Sequence, residues 1–317
     1  MGPPVHPRVI NRRQAMLLSL APLIPLASGC RASLPPWQAG SSSQDALSLL
    51  HDSAVAHGLA AYPAIHDLNV SYAGHWRRLV GILQPVLVDS GFRGGSEERL
   101  LLREGVIAQS HVGPKGHKQV VRIDTAHERP SVHVWFNGEE AQDRDRNDAA
   151  ALVAEAYCLF LLGPLLLVTN DSPRRDMQAA LARSAAIRQG KERHLCDVLD
   201  FRLSPGFGNS ESDQLALYID RRSRLLRRVR MTLNGLESTR GALVDIDTRE
   251  HRSLHGIMWP TAFHERLLRP FPLDVHEWKL TGLDINRGES RAELVGSAFT
   301  GSAVAPATRL MPDVGGR

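Results

Sequence analysis

The chain of 317 residues has only three cysteines, and aromatics make up just 5% of it. Three cysteines exclude a disulfide-dense scaffold, which needs several pairs to hold a small core. An excess of one charge is missing too. The 38 basic residues face 34 acidic ones, and the first 29 residues hold Arg8, Arg12 and Arg13 but no acid, so the remainder stands at 35 to 34. Such a balance lacks the clustered positive footprint of a nucleic-acid binder. The pairs Arg77-Arg78, Arg174-Arg175, Arg221-Arg222 and Arg227-Arg228 read as solvated strand or loop faces. Apolar runs are short or interrupted: Ala15 to Ala27 contains Pro22 and Pro25, and Ala149 to Leu162 carries Glu155 and stops at Gly163-Pro164. Neither suits a transmembrane span. No Gly-x-Ser-x-Gly elbow, phosphate loop or dinucleotide fingerprint is present, so nothing in the chain indicates an enzyme or a cofactor. The pairs His51/His57, His111/His117 and His251/His255 each lack a third ligand at recognisable spacing, and no metal site is expected.

The N-terminus carries the sharpest signal. Arg8, Arg12 and Arg13 precede the apolar run, which closes on Leu26-Ala27-Ser28-Gly29-Cys30. This resembles a bacterial lipoprotein signal, although Ala27 stands where leucine is commonest. The resemblance implies cleavage before Cys30 and lipidation of its thiol by diacylglycerol and acyl groups such as palmitate. Membrane attachment would then run through acylated Cys30, on the periplasmic side of the envelope and at the outer membrane in preference to the inner. Asn11-Arg12-Arg13-Gln14 also weakly resembles a twin-arginine signal, which leaves the export route open. The expected organisation is a signal peptide over 1–29, an acylated Pro/Ser/Gly-rich tether over 30–43, one folded domain over 44–294 and a disordered tail over 295–317. Cys158 and Cys196 could pair in an oxidising compartment, or remain buried thiols.

Within the domain, Ser42 and Ser43 can cap a first helix whose face Leu47, Leu50 and Ala54 runs to a stop at Gly58. Alternating strands follow: Leu68/Val70/Tyr72, Arg99 to Ala108, and Lys118 to Ile123 after a Gly113-Pro114-Lys115-Gly116 turn. Val132/Val134/Phe136 then alternate with His133 and Trp135. Asp143 to Asp148 caps an almost wholly apolar helix from Ala149, in which Glu155 is the single charge, and a second apolar patch covers Leu165 to Val168. Arg175 to Gly190 is ambiguous, its alanines favouring helix and Gly190-Lys191 a hairpin turn. The second half alternates again through Leu199/Phe201/Leu203, Leu215/Leu217/Ile219, Val229/Met231/Leu233, Val244/Ile246 and Trp278/Leu280. A bulge is expected at Gly282, because Leu283 and Ile285 continue out of phase.

Two local patterns add to this outline. They are Leu217-Tyr218-Ile219-Asp220 with Leu226-Arg227-Arg228-Val229, and Leu254-His255-Gly256-Ile257-Met258-Trp259-Pro260. Together with the lipoprotein signal, the meander and the inserted apolar helix, they make the chain resemble the LolA/LolB-like superfamily of periplasmic lipoprotein carriers over roughly Asp45 to Ile285. The resemblance implies an α+β, mainly β fold: a strongly curved antiparallel sheet, an unclosed barrel, with helices plugging its concave face. Ala149 to Val168 would be the plug or lid, contributing Leu152, Tyr157 and Phe160, while Trp135, Val229, Met231 and Trp278 would line the inner wall. The function implied is non-catalytic binding or sensing of a lipid, acyl group or acylated protein by a monomer, without nucleic acid. Whether that face is open or filled stays undecided. The alternatives are a regulatory or scaffolding lipoprotein that binds a protein partner, and a hydrolase whose site assembles from distant positions.

Overall fold

A computed structural model describes residues 34, 43–124, 130–169, 176–295 and 309–310. The expected signal peptide, Cys30 and nearly all of the tether lie outside these residues. Helix α1 (Gln44–His57) starts where the Ser43 hydroxyl accepts from the Ala46 amide, and it ends at Gly58 with φ 101°. A short helical turn (Tyr62–Ala64) leads into β1 (Asp67–Trp76), and the small helices α2 (Arg78–Leu83) and α3 (Pro85–Val88) follow. Next come β2 (Gly95–Leu101), β3 (Val106–Gly113), β4 (Gly116–Ile123), β5 (Ser131–Phe136) and β6 (Glu139–Glu140). Helices α4 (Arg144–Leu162) and α5 (Pro164–Thr169) interrupt the strands. The sheet resumes with β7 (Asp176–Gln189), β8 (Glu192–Ser204), β9 (Asp213–Asp220), β10 (Leu226–Thr232) and β11 (Leu243–Arg249). A separate hairpin of β12 (Arg252–Leu254) and β13 (Ile257–Trp259) precedes β14 (Ala262–Arg269), β15 (Leu273–Ile285) and α6 (Arg291–Leu294).

Thirteen strands form one antiparallel sheet in the order β6-β5-β4-β3-β2-β1-β15-β14-β11-β10-β9-β8-β7. Two meanders are thus joined by the pairing of the first and last long strands, and β6 and β7 remain as edges, so the sheet is not closed into a barrel. This is the mainly β, unclosed architecture expected. The bulge also falls as expected: Ser71 faces Gly282 and Tyr72 faces Leu280, leaving Thr281 extra.

Three local readings change. Arg99 to Ala108 is not one strand, because the chain reverses at Leu102–Glu104 and Gly105, whose φ of 63° suits glycine. Residues 176–189 are strand, not helix, since β7 pairs with β8 across the Gly190-Lys191 turn and buries Ala179 against Phe201. Of the expected tail over 295–317, only residues 295, 309 and 310 are among those described, and the Leu310 amide donates to the Thr281 carbonyl, at the bulge, over 2.9 Å. The arginine pairs are not uniformly solvated. Arg228 is buried on the convex face, donating to Asp247 over 2.6 Å, and Arg230 binds Asp245 bidentately at 2.7 and 3.0 Å. Burial pushes the Asp247 carboxyl up, but hydrogen bonding and charge from Arg228 outweigh it and hold the group below the usual carboxylate range.

Inward-facing strand residues meet α1, α4 and α5 in one apolar cluster. It includes Leu50 and Ala54 of α1, Leu159 and Leu162 of α4, and Leu68, Phe201, Leu217, Ile246 and Leu283 from the sheet. Smaller clusters sit on the convex face. Leu294 of α6 covers Leu101, Val106 and Val121 there, and Leu34 lies against the cluster of Ile187, Cys196 and Tyr218. Cys158 and Cys196 are both buried and are not joined in a disulfide.

Candidate ligand-binding face

Helix α4 is apolar nearly all round because it is buried nearly all round. Asp143 caps it, accepting from the Arg146 amide over 3.1 Å, and residues Ala149 to Ala156 are buried without a break. The single charge of its apolar stretch from Ala149 does not face water. The Glu155 carboxylate pairs with Arg122 of β4, and its other oxygen accepts from the Gly208 amide over 2.7 Å. Arg122 also lies 3.4 Å from Asp124. Helix α5 is held less firmly: only Pro164 and Leu165 are buried, and Leu166, Leu167 and Val168 pack in part. The joint is Gly163, at φ 52° and ψ −123°, a conformation that a side chain would strain.

Between α4–α5 and the β2–β3 hairpin lies a cavity of about 50 Å³, lined by Leu100, Leu102, Ile107, Cys158 and Leu166, with Arg122, Asp124 and Glu155 at its polar side. Small-molecule pockets run to roughly 300–1,000 Å³. The concave face is therefore filled largely by its own helices.

The residues expected to line the ligand divide. Leu152, Phe160, Val229, Met231 and Trp278 are all buried in the main cluster, and Tyr157 packs against it. Trp135 is not among them. It stacks on His133 at 5.8 Å and packs with Leu101, Val106 and Leu294 on the convex face. Alternation along β5 sends Val134 inward, against Ala150 of α4, and its neighbour Trp135 outward.

A second cavity, about 30 Å³, opens at the other end of the concave face. Its wall is a ladder of stacked rings: Trp76 on His276 at 4.1 Å, His276 on Trp278 at 4.5 Å, and Trp278 on Phe263 at 5.0 Å. Tyr157 lies 5.1 Å from the Trp278 ring, and its hydroxyl is 3.1 Å from His276 Nδ1. Polar groups crowd behind these rings. Gln109 donates to Glu98 over 2.7 Å and Lys118 to Asp89 over 2.5 Å. Burial pushes the Glu98 and Glu265 carboxyls up to about 7, and pushes Lys118 down to about 8. Burial likewise keeps His111 and His276 neutral.

Sequence reasoning missed this polar row. Glu98, Gln109 and His111 face inward because the β1–β2–β3 register sets Val70 opposite Glu98 opposite Gln109, and Ser96 opposite His111. Glu97-Glu98-Arg99 is charged on both faces, so no alternation marks which side is buried. His57 and His251 were likewise not associated, yet their rings meet at 6.0 Å. Among the described residues, no group of three or more His, Cys, Asp or Glu could hold a metal ion, and no helix is long and apolar enough to cross a membrane.

No protein-family model matches the chain, and no curated protein does. Solved structures do, at low identity. One is a DUF1329 family protein from Desulfovibrio piger, at 12% identity and TM-score 0.44, covering 80% of this chain and 98% of that one. Another is a putative outer membrane lipoprotein-sorting protein domain from Vibrio parahaemolyticus, at 7% identity and TM-score 0.41, covering 79% and 96%. A LolA superfamily protein from Nitrosomonas europaea matches at 14% identity and TM-score 0.35, covering 79% and 97%.

Proposed function

We propose that the domain binds a hydrophobic group, an acyl chain in the first instance, between its concave sheet face and the α4–α5 pair. The observation that supports this is a lid of two unequal parts. Helix α4 is pinned by the Arg122–Glu155 pair, whereas α5 follows a glycine joint, is mostly half-buried, and carries Leu166 into the cavity. Displacing α5 exposes apolar surface, and an entering chain offsets that with about 0.8 kcal/mol per buried methylene. The side chains around the cavity supply burial and ion pairing, which is the chemistry of binding and not of bond cleavage.

Cys158 gives a direct test, since its buried thiol lines the cavity. Laurate at saturation should slow maleimide labelling of Cys158 severalfold. Labelling of Cys196 should not change; that thiol is fully buried and pushed up to about 12 by burial. Unchanged labelling of Cys158, with no laurate retained in native mass spectra, would retire the reading.

The lipoprotein signal extends the proposal to location: an envelope protein facing the periplasm, anchored by acylated Cys30. Cys30→Ser is expected to abolish acylation and release the chain from membrane fractions. Attachment that survives the substitution would count against the anchor. A chain held by its own lipid acts as an acceptor or sensor at one membrane, whereas a diffusing shuttle has to leave it.

A further inference from the structure

The aromatic-walled cavity holds two buried nitrogens that the fold leaves without partners, although the guanidinium that carries one of them also hydrogen-bonds Tyr157. His111 is 97% buried (relative exposure 3%), lines this cavity, and its Nε2 has no protein hydrogen-bond partner. Arg93, from the segment between α3 and β2, lines it too. Its Nε is buried without a partner and its guanidinium stands 5.6 Å from the centroid of the Trp76 ring. Among the described residues no carboxylate lies in ion-pair contact with Arg93. Glu98 and Glu265 act on it only through space, and Lys118, another buried cation of the cluster, is taken up by Asp89. Buried polar atoms are satisfied in the great majority of cases, so an orphaned guanidinium donor and an orphaned imidazole nitrogen, which donates in its Nε2–H tautomer, together call for an acceptor in this cavity.

Size and connection narrow the acceptor. By the same kind of measure a water molecule occupies roughly 10–15 Å³, so a cavity of about 30 Å³ admits a group of two or three heavy atoms. Two walls, Tyr72 and Trp278, belong equally to the main apolar cluster, which makes the polar cavity continuous with the concave face. We propose that this cavity receives the carboxylate of a single-chain amphiphile whose hydrocarbon lies along the concave face. Arg93 and His111 donate to the carboxylate oxygens, with the Ser96 hydroxyl at the rim as a third donor. The stacked rings exclude water and strengthen the charge-assisted bonds. A cationic ligand is disfavoured because Arg93 already occupies the face of Trp76. The inference rests on the concave-face reading and adds the headgroup to it.

The experiment titrates the full chain with laurate, dodecanol and acetate, in the native protein and in Arg93→Gln and Arg93→Lys. Laurate should bind more tightly than dodecanol. Arg93→Gln should weaken laurate by roughly tenfold to a hundredfold and leave dodecanol unchanged, and Arg93→Lys should restore part of the loss. If the acid and the alcohol bind equally and Arg93→Gln affects neither, the headgroup site is wrong while the concave-face reading stands. If neither binds, both are wrong. If acetate binds as tightly as laurate with the same dependence on Arg93, the site is one for small carboxylates and the amphiphile is ruled out. Carboxyl-labelled laurate, followed by NMR on the native protein, does not depend on a variant folding. Its carboxyl signal should stay ionised below the titration range of the free acid, and a signal that titrates as in the free acid overturns the proposal.

Discussion

Arg122→Ala is expected to destabilise the fold by about 3–5 kcal/mol, more than Glu155→Ala. The two ends of this pair are unequally supported. Removing Arg122 leaves a carboxylate, 95% buried (side-chain exposure 5%), without its cation, whereas removing Glu155 leaves Arg122 beside Asp124 at 3.4 Å. Replacing both, as Arg122→Met with Glu155→Leu, should recover most of the loss, because well-packed apolar pairs often match a buried ion pair. Recovery should stay incomplete, since the Gly208 amide would lose its acceptor. Urea unfolding of the two single variants and the double variant completes the cycle. Equal costs for the two single variants would mean that Asp124 does not support Arg122. The pair also fastens α4 to β4, so the single variants should loosen the lid and speed labelling of Cys158.

Stability is expected to fall as pH drops from 7 towards 4, with His57 and His251 contributing to the fall alongside the buried His111 and His276. His57 Nδ1–H donates to the Ser53 carbonyl over 2.8 Å, and Nε2 accepts from the Leu226 amide at 3.4 Å. That arrangement requires the neutral ring, because a protonated Nε2 would face another donor. Burial pushes His57 down to about 4 and His251 to about 3; the charge of Arg227 adds to both, and the facing His57 adds to His251. In the unfolded chain both take up protons near 6.5. Below that pH unfolding therefore binds protons, and each ring removes about 1.4 kcal/mol per pH unit until its folded value is reached. Glu98 and Glu265 work in the opposite sense. Held near 7, they are protonated in the fold before they are in the unfolded chain, so their contribution rises as pH falls from about 7 to 4.5. The histidine contribution is isolated by comparing the native chain with His57→Gln at pH 7 and pH 5. The variant should start lower and lose less. A loss as large as that of the native chain would remove His57 from the account.

Much of the architecture was written in short-range pattern. Leu68/Val70/Tyr72, Leu215/Leu217/Ile219 and Val229/Met231 alternate because one face of each strand is buried and one is wet, and all of these residues reach the main cluster. The bulge at Gly282 was legible as a change of phase. The stretch 176–189 was not, because its alanines carry a helical preference that pairing with β8 overrides. The residues expected on the inner wall reach the main cluster where they lay on an unambiguous face. Trp135 failed because aromatic character marks burial and not the side of the sheet: a shift of one residue sends it to the convex face.

What the sequence by itself determined is the alternation of strands and the caps and breaks that bound α1 and α4. These depend on residues a few positions apart, where propensity, capping and periodicity act. What only the tertiary structure decided is which polar groups share the interior. Glu155 meets Arg122, His57 meets His251, and Arg93 and His111 meet a wall of rings from β1 and β15. Those partners lie tens to nearly two hundred positions apart, and strand register, which local sequence does not encode, brings them together. The same register turned an apparently uniform hydrocarbon face into one with a polar end.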